Sequence, residues 1–226
     1  MVLGLFGLGA AGILVGKKVQ SGVASVLEPI TSRDPTGVSQ LIPGSGGFRI
    51  YAELGSPSRA DAAYTLKVDG LVERPATYRL DDLRSRLPQT KLTKDFQCVT
   101  GWRVPAVKWQ GVKLSDVLAD VGVKPGAQAL RFFSFDGGYT ETLTMEQARR
   151  PDVIVAHQML GRPVTQEHGG PVRLYVAPMY GYKSAKWLER IEVVASVDPA
   201  GYWEGLGYDV DAWVGRSNGR TDQEIG

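Results

Sequence analysis

The sequence predicts an α+β fold, with mixed or mostly antiparallel sheets and a few short helices set among the strands. Three observations carry this prediction. Short runs alternating apolar and polar residues at period two recur along most of the chain. Helical periodicity is confined to brief stretches, placed irregularly rather than in a regular βαβ alternation. No internal repeat and no low-complexity tract breaks the pattern.

The chain opens differently. Residues 1–16, MVLGLFGLGAAGILVG, carry no charge and precede Lys17 and Lys18. The stretch is shorter than the roughly 20 apolar residues that span a bilayer, and its glycines make a poor helix interior. Its mild hydrophobicity suits the apolar part of an export signal, although no basic segment precedes it. Residues 1–30 are therefore expected to form an export signal or membrane anchor. The domain would then lie outside the cytoplasm, in the periplasm or on the outer face of the cell membrane. Residues 31–47 are rich in Pro, Gly and Ser and are expected to be a linker, followed by one folded domain over 48–226.

Within that domain, FRIYAEL (48–54) and AYTLKVDG (63–70) alternate as strands. LDDLRSRL (80–87) predicts a short helix with Asp81 or Asp82 as N-cap, stopped by Pro88. KLTKDFQC (91–98) is strand-like, with Leu92, Phe96 and Cys98 on one face. VKLSDVLADVGV (112–123) predicts a helix capped by Ser115 that buries Val117, Leu118 and Val121. ALRFFSF, YTETLT, DVIVAH, PVRLYVA and WLERIEVV predict strands over 129–135, 139–144, 152–157, 171–177 and 187–194. Between two of them a short helix opens at Thr144 with a capping box to Gln147. The aromatic, Gly-rich tail from Gly201 is expected to wrap over the domain rather than form a second one.

Composition excludes several functions. The 26 basic against 24 acidic residues give a net charge of +2, which offers no basic face for nucleic acid. One cysteine excludes an internal disulfide framework or a multi-cysteine metal site, and two histidines leave little for a histidine-built one. That single cysteine, Cys98, enters a Gly-containing loop, CVTGWR. A free cysteine most often packs as a small hydrophobe. Against that bland reading stand the loop itself and the nearby Arg103, which could stabilise a thiolate. A thiolate is also a soft metal ligand, sufficient alone if a cofactor brings the other ligands.

The second unusual stretch is QEHGGPVRLYVAPMYGYKSAKWLERIEV (166–193). Its glycines suggest a backbone that comes close to something, and His168, Arg173, Lys183, Ser184 and Lys186 are donors suited to an anion. It has no Walker spacing and no G-x-G-x-x-G. Strand-end lysines and arginines are also commonly just solvated, so this signal alone is weak.

Together the two stretches resemble the molybdopterin-binding catalytic domain of the sulfite oxidase superfamily, which includes methionine-sulfoxide reductase catalytic subunits. The motifs that carry the resemblance are CVTGWR, WQGVKLSDVL, HGGPVRLYVAPMYGYKSAKWLERIEV and GYWEGLGY, over about residues 48–218. The resemblance implies a molybdenum–molybdopterin cofactor, with Cys98 as the protein ligand of the metal. It implies that His168, Arg173, Ser184, Ala185 and Lys186 surround the pterin and its phosphate, with Lys183 nearby. Ser134 falls where relatives place a hydroxyl near the cofactor, and Tyr51 in a segment that touches the pterin. Arg103 would face the open side of the metal. His157 matches nothing catalytic and is expected to be structural.

Departures from the family pattern shape the expected function. Sulfite-oxidising relatives commonly read C-x-G-N-R-R, whereas Trp102 and Val104 stand here in place of the asparagine and the second arginine. One cation fewer should weaken binding of a dianion, because each charge-assisted contact contributes about 1.5–3 kcal/mol. The expected activity is two-electron, oxygen-atom-transfer-type chemistry on a small S- or N-oxo substrate. Electrons would pass through a separate partner, a haem membrane subunit or a cytochrome, and the domain would be a monomer. Two other readings remain at this point: a non-catalytic exported binding module that keeps the fold, and a thiol redox protein using Cys98 directly. The latter would lack a resolving cysteine.

Overall fold

A computed structural model describes residues 48–52, 55–198 and 201–216. The expected export segment, 1–30, and linker, 31–47, lie outside the described residues. Two sheets form the frame. The first has the order β2 (Ala76–Arg79), β1 (Thr65–Gly70), β10 (Leu188–Val194), β5 (Ala129–Ser134), β6 (Thr140–Thr144). Its only parallel pair is β1 with β10; the others run antiparallel. The second runs β3 (Gln89–Gln97), β4 (Arg103–Lys113), β7 (Val153–Met159), β8 (Arg162–Pro163), with β9 (Arg173–Val176) also pairing β7.

Sequence alternation explains how these sheets bury themselves. Strand β7 is buried along almost its whole length, and its successive side chains enter two different cores. Val153 and Val155 join the large core, which draws on both sheets and the helices, whereas Ile154 and Ala156 face a smaller aromatic cluster. Strand β9 repeats the pattern: Leu174 and Val176 go to the large core and Tyr175 to the small one. Each such aliphatic side chain, fully buried, contributes roughly 1.5–3 kcal/mol. The small cluster, built on Phe96, Trp102, Val104, Val107, Trp109 and Tyr175, is where the site forms.

The helices are short. α1 spans Leu80–Ser85, α2 Leu114–Val121 and α3 Met145–Ala148. α2 buries Leu114, Val117, Leu118 and Val121, the i, i+3, i+4, i+7 stripe of a helix lying on a core. α3 starts as expected: Thr144 Oγ1 accepts from the Gln147 N–H, and Gln147 Oε1 accepts from the Thr144 N–H. The other two caps differ from expectation. α1 begins at Leu80, which is buried, so Asp82 sits a turn inside and its carboxylate reaches back to the Arg79 N–H at 2.8 Å. α2 begins at Leu114 with Lys113 in the flanking position, and Ser115 is inside the helix. In both, burial of the first leucine sets the start.

Two strand expectations also change. Residues 48–52 form no strand; Phe48 and Tyr51 pack on Phe96 and Trp102 of the small aromatic cluster instead of joining a sheet. Conversely, β4 is the longest strand, although Pro105 and Gly111 make it unlike one in sequence. The proline sits at a register shift, where Pro105 and Ala106 of β4 bulge opposite the single Asp95 of β3, whose Oδ1 accepts from the Ala106 N–H at 2.9 Å. Gly111 is required by the sheet itself: a Cβ there would lie 2.1 Å from the Val155 carbonyl oxygen. No described helix is long and apolar enough to cross a membrane.

Candidate functional site

The β3–β4 hairpin ends in a tight five-residue connection, Cys98 to Trp102. The Cys98 N–H donates to the Trp102 carbonyl at 2.9 Å and the Gly101 N–H to the Cys98 carbonyl at 3.1 Å, with Gly101 at φ +96°. This turn holds Cys98 half-buried at the hairpin tip, with its Sγ 3.2 Å from Thr100 Oγ1. The thiol faces a cavity of about 300 Å³, walled by this turn, residues 48–52, the His168 and 181–187 loops, and the tail. Cys98, Tyr51, His168, Arg173, Ser184 and Lys186 all line it.

Arg173 and Lys186 give the cavity its charge. Arg173 is almost wholly buried, on the β9 face it shares with Tyr175, and lies over the rings of Phe96 and Trp109. Three of its N–H groups go to backbone carbonyls, those of Leu174, His168 and Ser184. Lys186 Nζ likewise donates to two carbonyls, Tyr51 at 2.7 Å and Glu167 at 2.8 Å. Among the described residues neither makes a salt bridge to a carboxylate. A buried cation held only by carbonyls is stabilised when an anion joins it.

The titration behaviour follows from this crowding. Burial, and next the Arg173 charge, lower Lys186 to about 7. Burial lowers Arg173 to about 10, so it stays charged at neutral pH. Burial, then Arg173 and Lys186, lower His168 to about 4. It is therefore a neutral hydrogen-bonding ring at pH 7. A base whose pKa is depressed on folding binds protons less well folded than unfolded, so Lys186 makes stability rise with pH above about 7 and towards the ordinary lysine value. Anion binding has the opposite sign, since it needs the protonated form. In ligand-free protein, the thermal shift produced by sulfate, a dianion at both pH values, should be larger at pH 6 than at pH 8.5; equal shifts would contradict a lysine titrating near neutrality.

Other residues singled out in the sequence lie off the cavity. Arg103 turns back along β4, its Nη1 3.4 Å from Asp95 Oδ2, and does not line the cavity. Ser134 is buried and its Oγ donates to the Lys186 carbonyl at 2.5 Å, so it holds the lysine's backbone. Ala185 packs in the large core, its carbonyl accepting from the Leu174 N–H at 2.8 Å. Lys183 is fully buried between Glu141 and Glu204. His157 is also away from the cavity, with Nε2 2.8 Å from Gln89 Oε1. The glycines of the second stretch come close to the chain itself. A Cβ on Gly169 would lie 2.6 Å from Lys186 Cβ, and one on Gly181 would lie 2.4 Å from Phe96 Cζ.

Much of the wall consists of residues that no sequence motif assigns to the site: Phe48, Phe96, Asp136, Tyr139, Tyr182, Trp203 and Tyr208. The density of aromatics in GYKSAKW and GYWEGLGY was the available signal. Trp102 stacks on Phe96, with ring centroids 5.7 Å apart, and its buried indole N–H has no partner.

A half-exposed thiol, one buried and one half-buried cation without a salt-bridge partner, and aromatic walls with an unsatisfied donor define a site for a flat anionic ligand, of the kind a redox cofactor presents. Among the described residues, no three His, Cys, Asp or Glu side chains could hold a metal, so a metal bound to Cys98 would take its other ligands from such a cofactor. Comparison with known proteins supplies the family. Residues 53–203 match the oxidoreductase molybdopterin binding domain, and the chain belongs to that family, within the sulfite oxidase superfamily.

Relatives agree. The chain is 34% identical over 152 residues to the uncharacterized oxidoreductase YuiH of Bacillus subtilis, covering 66% of this chain and 75% of that protein. It is 32% identical to a sulfite oxidase of Arabidopsis thaliana, over 59% of this chain and 42% of the relative. It is 31% identical to the protein-methionine-sulfoxide reductase catalytic subunit MsrP of Ralstonia nicotianae, over 62% and 46%. The sulfane dehydrogenase SoxCD structure from Paracoccus pantotrophus matches with a TM-score of 0.58 and 28% identity, over 63% of this chain and 41% of that one. The match thus spans less than half the length of these last three proteins. The cofactor of the family is molybdopterin carrying molybdenum, and the cavity's donor set fits it.

Proposed function

We propose that this domain is the catalytic unit of an extracytoplasmic molybdenum oxidoreductase that transfers oxygen to or from a small S- or N-oxo compound. The observation that carries the reading is the co-location, in one cavity, of the chain's single thiol with Arg173 and Lys186, two cations held by backbone carbonyls and not ion-paired to any described carboxylate. Cys98 would ligate the metal, while Arg173, Lys186, Ser184, His168 and Tyr51 would hold the pterin and its phosphate. When bound, the cofactor supplies two-electron redox chemistry at molybdenum. The chain's own residues then have three tasks. Arg173 and Lys186 neutralise the cofactor's anionic tail. The neutral His168 ring packs edge-on against Phe48, with centroids 5.1 Å apart, and closes the wall without adding charge. Phe48, Tyr51, Phe96 and Trp102 exclude water beside the thiol.

The turn that carries Cys98 supports a neutral substrate over a dianion. Its contributions to the wall are Val99, Thr100 and Trp102, and its arginine is engaged with Asp95. With reduced viologen as donor, the holoprotein should reduce dimethyl sulfoxide or trimethylamine N-oxide. With ferricyanide as acceptor, sulfite oxidation should have a kcat/KM lower by about tenfold or more, the loss expected from one missing charge-assisted contact. A preference for sulfite would contradict the substrate reading. Electrons would come from or go to a separate haem partner, a reading supported by the name "catalytic subunit" of a relative.

A further inference from the structure

Lys183 and Lys186 lie three residues apart in the motif KSAK, yet the fold gives them opposite environments. Lys183 Nζ carries three N–H groups, and three acceptors take them. These are Glu141 Oε1 at 2.5 Å, the Thr142 carbonyl at 2.7 Å and Glu204 Oε1. All three side chains of this Lys–Glu–Glu cluster are essentially inaccessible to solvent. No donor remains on Lys183 for a ligand, and it does not line the cavity.

Glu204 belongs to the tail segment 201–208, whose Trp203 and Tyr208 do line the cavity, 5.1 Å apart between ring centroids. This segment has no ladder of its own. It consists of a single 3-10 turn, Glu204–Leu206, ended by Gly207 at φ +89°. Its first residues touch β6: the Tyr202 N–H donates to the Thr140 carbonyl at 2.9 Å, and a Cβ on Gly201 would lie 3.0 Å from Glu141 Cα. Just beyond it, Tyr182 Oη donates to the Asp209 carbonyl at 2.7 Å. Between these attachments Tyr202 packs on Tyr139 and Tyr208 on Tyr182, and Glu204 on Lys183 is the charged anchor.

From this we infer that Lys183 is a positioning residue, which through Glu204 fixes segment 201–208 as a wall of the cavity and does not touch the cofactor. Electrostatics agree with a built cluster. Glu141 Oε2 and Glu204 Oε2 are both buried without a hydrogen-bond partner among the described residues. Burial, against the opposing Lys183 charge and together with Glu204, holds the Glu141 carboxyl well above the ordinary range.

The inference rests on the cavity being the ligand site, so its test separates the two. The full-length holoprotein is compared with Glu204→Leu, which removes the anchor but leaves Lys183 paired with Glu141, and with Glu204→Gln, which keeps an acceptor. Chymotryptic cleavage at Trp203 and Tyr208 should rise about tenfold in Glu204→Leu, as expected when a local opening loses its main restraint. The fluorine resonance of 5-fluorotryptophan at residue 203, assigned with Trp203→Phe, should move. KM for dimethyl sulfoxide should rise about fivefold with kcat changed less than about twofold, the pattern of lost binding rather than lost chemistry. Glu204→Gln should restore most of each effect, and molybdenum content should stay unchanged. The inference is overturned if cleavage and resonance do not change in Glu204→Leu, or if the cofactor is lost while the segment stays protected. Wild-type protein without cofactor or turnover would overturn the functional reading alone, because cleavage and resonance decide the anchor either way.

Discussion

Cys98→Ser should abolish turnover while leaving the fold intact. The expected loss in kcat is about a thousandfold or more, the scale on which removing a group that acts directly in the chemistry lowers rates. The stability change should stay within about 0.5 kcal/mol, because serine is nearly isosteric and the site is half-exposed. The turn that presents the thiol is closed by the backbone bonds between residues 98 and 102, which serine keeps. Comparing kcat with the urea midpoint of unfolding separates the two contributions. A cysteine that merely packed as a small hydrophobe would give the reverse pattern, with activity retained.

Arg173→Met carries the second large effect. Methionine keeps an aliphatic stem but removes the guanidinium that lies over Phe96 and Trp109. In the ligand-free protein two consequences oppose each other. The carbonyls of Leu174, His168 and Ser184 lose their donor, at about 1–3 kcal/mol for each one left buried and unpaired. Against this, a charge that burial disfavours is no longer taken out of water. The holoprotein has no such compensation, since the charge that would meet the cofactor's anionic tail is gone. Each charge-assisted bond lost costs about 1.5–3 kcal/mol, or roughly ten- to a hundredfold in retention. Purified Arg173→Met should therefore hold about a tenth or less of the wild-type pterin, read by fluorescence after release, with Arg173→Lys between the two. Full pterin occupancy in Arg173→Met would show that the cofactor's charge is met elsewhere.

Much of this was legible in the sequence because local patterns and core packing agree. The β1, β3, β5, β6, β7, β9 and β10 runs were all visible as strand-like stretches, and α3 as a Thr–Gln capping box. What escaped notice was set by contacts distant in sequence. Strand β4 contains Pro105, which only a bulge supported by Asp95 accommodates. Residues 48–52 alternate like a strand, but Phe48 and Tyr51 pack on Phe96 and Trp102 rather than joining a sheet. Within KSAK nothing local distinguishes the two lysines. Their roles diverge because Glu141, on a strand about forty residues earlier, and Glu204, on the tail, converge on one of them. Arg103 is a similar case: Asp95 across the hairpin, not its position near Cys98, decides where it points.

The central claim is a bond between the Cys98 sulfur and a molybdenum that also binds the pterin. X-ray absorption at the molybdenum edge, on wild-type and Cys98→Ser protein from a molybdenum-replete host, tests it most directly. The account predicts about one molybdenum per chain in the wild type, held partly by sulfur, with one sulfur neighbour fewer in the variant. An unchanged sulfur shell, or wild-type protein that takes up no molybdenum, would contradict it.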